Sequence, residues 1–174
     1  MFTTRIIETE GISEAVDLVS KHMFNGSREA TAAHFHMHPQ GESTTLLGFE
    51  DDRLVALLTI RWKSRYPPFR EAGIPLIQHI EIRYEDRGKG YGTRIMDAAE
   101  RLIRKRGDKA GICVGISREF GIAMQMYVKR GYIPDGRGAL LNFDEISAGQ
   151  SIGDASHVCL WMVKELDRPS GAGA

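Results

Sequence analysis

Residues 83–93 read Arg83-Tyr84-Glu85-Asp86-Arg87-Gly88-Lys89-Gly90-Tyr91-Gly92-Thr93. Glycines at 88, 90 and 92 alternate with Lys89 and Tyr91. The strand-like run "LIQHIEI" (76–82) precedes them. A helical pattern follows, in which Ile95, Ala98, Ala99, Leu102 and Ile103 recur at helix spacing, and Gly107 stops it. A glycine loop between strand and helix gathers backbone N–H groups and the positive end of the helix dipole at one point, which suits an anion. Gly88, Gly90 and Gly92 let the backbone approach a phosphate. Arg87 and Lys89 add charge at the rim, and Thr93 is the expected helix cap.

Three phosphate-binding loops compete for this stretch. A P-loop ends in Gly-Lys-Ser/Thr, and here Lys89 is followed by Gly90, which excludes it. A dinucleotide fingerprint spaces its glycines G-x-G-x-x-G and wants an acidic residue ending the next strand. This loop is G-x-G-x-G, and Asp108 stands before its strand. The pattern R-x-x-G-x-G is met by Arg87, Gly90 and Gly92. Taken alone, the loop is also readable as a glycine-rich turn that binds nothing.

Outward from the loop, the chain reads as alternating strands and helices. "RIIETEGISEAVDLVSKHMF" is a strand, a turn at Gly11 and a helix capped by Ser13, with Ala15, Val16, Val19 and Met23 as its apolar stripe. "SREATAAHFHMH" is a second helix that ends before Pro39. "TTLLGFEDDRLVALLTIRW" is a β-hairpin turning at Glu50-Asp51-Asp52, and "SRYPPFREAGIP" is a loop. Beyond Gly107 come a buried strand "AGICVGI", a helix "GIAMQMYVKR", strands at "YIP" and "ALLNF", a polar loop and a last strand "HVCLWMVKEL". No repeat or linker interrupts the pattern. The expectation is one α/β domain over residues 1–166, with 167–174 a flexible tail.

Composition narrows the function. The chain has 174 residues, 42% apolar and 26% charged, and its 23 Lys and Arg balance 23 Asp and Glu. A neutral whole offers no field to gather nucleic acid or an anionic membrane, so "RLIRKRG" reads as a solvated helix face. No run approaches ~18 apolar residues, and "MFTTRIIETEGIS" lacks a secretory layout, so a cytoplasmic protein is expected. Cys113 and Cys159 read as buried free thiols.

Downstream of the loop stands "AMQMYVKRGYIPDGRG" (123–138): an apolar helix carrying Tyr127, a stop at Gly131 and an aromatic at Tyr132. Joined to "RGKGYG", this spacing resembles the GNAT superfamily of acyl-CoA-dependent N-acetyltransferases, over about residues 53 to 135. The resemblance implies a single domain whose mixed central sheet splays between its two middle strands, flanked by helices on both faces. It implies that Arg87, Gly88, Lys89, Gly90, Tyr91, Gly92 and Thr93 bind the pyrophosphate of coenzyme A. The main chain at Ile80 and Ile82 would hold the pantetheine arm, and Tyr127 would stand near the thioester sulfur. Two positions depart from the family pattern: Tyr84 stands where many relatives have Pro, and Phe120 where many have Asn. Dimers are frequent in the family, which leaves a homodimer open.

The chemistry implied is acetyl transfer from acetyl-CoA to a primary amine by direct attack on the thioester. An alkylammonium with a pKa of about 10.4 must first lose its proton, at a cost of about 4–5 kcal/mol at pH 7. His79 and Glu81, two apart on the strand, are the candidate bases, with a water relay as the third option. The leaving thiolate takes a proton readily from a phenol, which suits Tyr127. A non-catalytic acyl-CoA-binding module would need the loop alone. His34, His36 and His38 tempt a metal reading, but a helix puts only His34 and His38 on one face, so no metal is expected. Trp62, Tyr66 and Phe69 either wall an acceptor pocket or pack a turn.

Overall fold

The computed structural model describes residues 1–7, 11–23, 26–37 and 41–166. His38 and the expected tail over 167–174 lie outside them. The chain forms two compact units by its own contacts, Met1–Lys63 with Ile77–Leu102, and Ser64–Leu76 with the chain from Ile103 onward.

In the first unit, β1 (Phe2–Ile6), β2 (Ser43–Glu50), β3 (Arg53–Arg61) and β4 (Leu76–Ile82) run in that order across the sheet. β1 pairs antiparallel with β2, and β2 with β3. The β2–β3 hairpin turns on Asp51 and Asp52, with φ of 48° and 67°. Positive φ at both central residues is the tight-turn geometry that matches strand twist. β3 is buried along eight of its nine residues, so alternation gives way to a continuous apolar run.

Two helices, α1 (Ile12–His22) and α2 (Arg28–Met37), follow β1. Ala15, Val16, Val19 and Met23 meet Leu47, Phe49, Leu54 and Leu57 in one buried cluster. Each of these side chains larger than Ala15 contributes about 1.5–3 kcal/mol of burial. Gly11, not Ser13, occupies the cap position, so Ser13 lies inside the helix. The glycine loop leads into α4 (Tyr91–Arg104), where Ile95, Met96, Ala99 and Ile103 are fully buried.

The second unit contains α3 (Pro67–Glu71), β5 (Lys109–Gly115), α5 (Gly121–Lys129), β6 (Ile133–Leu141), β7 (Asp144–Glu145) and β8 (Val158–Glu165). Its strands run in the order β5-β8-β6-β7, with antiparallel pairs throughout. The expected loop at "SRYPPFREAGIP" contains α3, started by prolines in its first turn. The two short strands expected at "YIP" and "ALLNF" are one strand, β6, whose register with β8 shifts between Pro134 and Ala139. Gly136 and Gly138, at φ 90° and 73°, make that bulge possible. Tyr66, Phe69, Leu140 and Trp161 form the core, with Tyr66 stacked on Trp161 at 4.1 Å. Cys113 and Cys159 are free and half-buried, less enclosed than the sequence suggested.

Candidate active site

The anion loop belongs to the first unit. β4 ends at Ile82, a helical turn spans Tyr84–Asp86, and α4 begins at Tyr91. Gly88 and Gly90 have φ of 77° and 83°, where L side chains are strained. A Cβ at either would meet nothing within 4 Å, so the space beside the loop backbone is open. Gly92 and Thr93 fall inside the first turn of α4, so Thr93 is not its cap. Tyr91 is buried and stacks on Phe2 at 5.7 Å, with the Arg94 guanidinium 5.7 Å from its ring.

The cations of the loop are arranged differently from a simple charged rim. Lys89 donates to Asp86 Oδ1 at 2.9 Å. Arg53 from β3 donates to both oxygens of the same carboxylate, and Arg83 reaches it at 3.1 Å. The Asp86 side chain is 1% exposed, and Arg53 first, then Lys89, pull its pKa down to about 2 against the cost of burial. Arg87 donates to the Ile82 carbonyl at 3.3 Å and lies over the Tyr84 ring. Sequence reasoning missed Asp86. Glu85 and Asp86 stand side by side among Arg83, Arg87 and Lys89, and nothing local tells the two acids apart.

On β4, Ile80, Glu81 and Ile82 are half-buried and His79 is exposed. The His79 backbone sits at φ 51°, an uncommon conformation for a residue with a Cβ that costs about 1–3 kcal/mol. That kink breaks the alternation on which a shared face with Glu81 rested. The His79 ring meets the His34 ring edge to face at 5.0 Å. Crowding by surrounding protein, then the Arg61 cation, holds the His79 pKa below the ordinary histidine range. His34 from α2 is 2% exposed. Its Nε2 lies 3.1 Å from Thr59 Oγ1, which lies 3.1 Å from Thr45 Oγ1. Burial, then His79, lowers the His34 pKa to about 4. Both imidazoles are therefore poised neutral near pH 7, the form that accepts a proton.

Tyr127 belongs to the second unit, on α5. It is 6% exposed, with its ring 6.2 Å from Tyr132. Burial, then the neighbouring Cys113, pushes the phenol up to about 12, so it carries its proton at any working pH. Cys113 on β5 stands opposite Trp161 on β8, two residues from Cys159 along that strand, and the Cys113 thiol is pushed up by its hydrogen bond to Cys159. The Phe120 ring lies where a Cβ on Gly115 would stand, so an aromatic side chain covers the end of β5. Tyr66, Pro67, Pro68, Glu71, Arg137, Leu140, Phe143 and Glu145 line a cleft of about 300 Å³ in this unit. Tyr66 packs against Phe69 and Trp161, and its hydroxyl donates to Asp135 at 2.6 Å. Trp62 belongs to the first unit and donates to Thr44 at 2.9 Å.

The structure thus gathers the glycine loop, Ile80, Ile82, His79 and Glu81 in one unit, and Tyr127 in the other. Among the described residues, no group of three or more His, Cys, Asp or Glu side chains is placed to hold a metal ion. No helix among them is long and apolar enough to cross a membrane.

Comparison with known proteins bears on the whole chain. The sequence profile of the Acetyltransferase (GNAT) family matches residues 14–132. No curated protein matches. Among solved structures, the ribosomal-protein alanine N-acetyltransferase of Escherichia coli superposes with a TM-score of 0.64 at 14% identity, over 100% of this chain and 99% of that one. The spermidine/spermine N-acetyltransferase of Vibrio cholerae, solved in mutant forms, gives 0.61 at 16% identity, over 95% of each chain. An acetyltransferase of the same family from Streptococcus pneumoniae gives 0.60 at 17%, over 96% of this chain and 100% of that one. At such identities the likeness shows the fold, and it is the α/β fold expected from the glycine loop and its flanking elements.

Proposed function

Because the chain belongs to the GNAT acetyltransferase family, we propose that it moves an acetyl group from acetyl-CoA to a primary amine of a small molecule or peptide. The observation that carries this reading is the glycine loop, with Gly88 and Gly90 at positive φ and open space beside them at the start of a 14-residue helix. Backbone amides and the helix dipole there suit a pyrophosphate. Acetyl-CoA is the acyl donor, and its phosphates are the anion the loop takes.

In this reading His79 accepts the ammonium proton, directly or through water, and the free amine attacks the thioester carbonyl. Its lowered pKa keeps His79 unprotonated near neutral pH. Glu81 remains the second candidate base. The C–S bond then breaks, and the leaving thiolate takes the proton of the Tyr127 hydroxyl. A buried phenol at about 12 is a proton donor that does not ionise beforehand.

The test is the melting temperature with and without acetyl-CoA, with NADH and ATP in parallel. A ligand at 100 times its Kd stabilises the native state by about 2.7 kcal/mol. A rise with acetyl-CoA alone, followed by release of CoA with an amine from a panel of polyamine, aminoglycoside, amino acid and peptide, supports the reading. A rise with no turnover favours a non-catalytic acyl-CoA-binding module. No rise at millimolar acetyl-CoA removes the reading.

A further inference from the structure

His34 is a titratable side chain that the reaction above does not use, and it is 2% exposed. A buried imidazole has to satisfy its polar atoms. Here Nε2 is met by Thr59 Oγ1, itself met by Thr45 Oγ1, both threonines being fully buried. Each hydroxyl has one proton to give. If Thr59 donates to His34, the imidazole proton is on Nδ1, and Thr45 donates to Thr59. If His34 donates, both hydroxyls turn the other way. Either arrangement fixes the His34 ring plane, because a rotated ring would break the buried hydrogen bond between Nε2 and Thr59.

The fixed ring does not end the chain of contacts. Its neighbour is His79, edge to face at 5.0 Å and 85°. His79 sits on the kinked residue of β4, where φ of 51° aims the side chain out of the strand's ordinary alternation. From β3, the Arg61 cation also bears on His79.

We propose that His34 is a positioning residue for His79: the buried Thr45–Thr59–His34 chain locks the His34 ring, and that ring fixes the orientation and tautomer in which His79 is presented. The inference rests on His79 as the base for its catalytic meaning, and on geometry alone for the coupling.

Long-range proton–nitrogen NMR of the imidazoles in the full chain tests the coupling without any acceptor. In the wild type, the His79 nitrogens are expected at the values of one tautomer. In Thr59→Val, and in His34→Gln, whose amide still gives Thr59 a polar partner, they move toward the averaged values of a freely exchanging imidazole. Thr59→Ser, which keeps the hydroxyl, retains the wild-type spectrum. Wild-type His79 nitrogens in His34→Gln overturn the inference. Turnover of His79→Gln separates the two claims. Lost turnover without NMR coupling leaves His79 the base and removes His34. Coupling with unchanged turnover removes His79 as base, and the catalytic meaning with it.

Discussion

The Arg53 guanidinium holds both carboxylate oxygens of Asp86, at 2.5 and 3.1 Å, tying β3 to the turn that opens the glycine loop. Lys89 and Arg83 complete the ring of cations around that one acid. Asp86 has a pKa of about 2 when folded and about 3.9 when unfolded. A depressed pKa contributes stability that is present above the unfolded value and lost as pH falls through the folded one. Wild type is therefore expected to lose on the order of 2 kcal/mol between pH 4 and pH 2, discounted because Arg53 and Lys89 are half-open to solvent. Urea unfolding across that range checks it. Asp86→Asn should flatten the pH dependence there.

The same carboxylate separates two accounts of cofactor binding. Asp86→Asn removes a negative charge beside an anion site, and Coulomb's law alone predicts tighter acetyl-CoA binding. If Asp86 instead holds the loop in shape, affinity falls, and we expect a loss of about tenfold by calorimetry, or about 1.4 kcal/mol. An increase in affinity would show that the acid is a charge brake and not a support.

The anion loop was legible in the sequence because glycine spacing reports a backbone that must run close to something, whatever the tertiary setting. The stripe of α4 was legible for a similar reason, since Ile95, Ala99 and Ile103 are all fully buried. Asp86 was hidden because its main partner, Arg53, comes from another strand and no local pattern announces it. The kink at His79 was hidden too, for β4 carries no glycine or proline to mark it. α3 was masked by Pro67 and Pro68, which break helices in the middle but open them at the first turn.

Tyr127→Phe removes one hydroxyl from a buried ring and keeps its packing. Turnover is expected to fall about 100-fold, at the lower end of general-acid contributions, with acetyl-CoA affinity unchanged. Because the folded phenol titrates near 12, the wild-type rate should show no basic limb from this group below pH 10. Steady-state kinetics with a saturating amine decide it, and unchanged turnover removes Tyr127 from the chemistry.

Gly111 lies against Phe69, and a Cβ there would overlap the aromatic ring. The ring is itself fixed, 2% exposed and packed edge to face on both Tyr66 and Trp161. Gly111→Ala should therefore destabilise by about 1–3 kcal/mol, as overpacking does in a core that cannot yield. Phe69→Leu in the same chain should recover part of the loss. Chemical denaturation of the single and double variants gives the coupling, and a neutral Gly111→Ala would mean that this core is loose.

His34 makes the protein sensitive to mild acid. Its folded pKa is about 4 against about 6.5 unfolded, so its contribution is present above pH 6.5 and lost as pH falls through 4. The difference amounts to on the order of 3 kcal/mol, a large share of the stability of one domain. The cause is burial: protonating His34 puts a charge into the core beside the Thr59 hydroxyl and a second imidazole, His79. Stability of wild type should thus fall between pH 6.5 and pH 4, before Asp86 begins to titrate. His34→Gln should remove that part of the slope and leave the Asp86 part below pH 4 intact. A variant whose slope matches wild type from pH 6.5 to 4 would show that His34 is protonated in the native state without cost, and that water reaches the pocket.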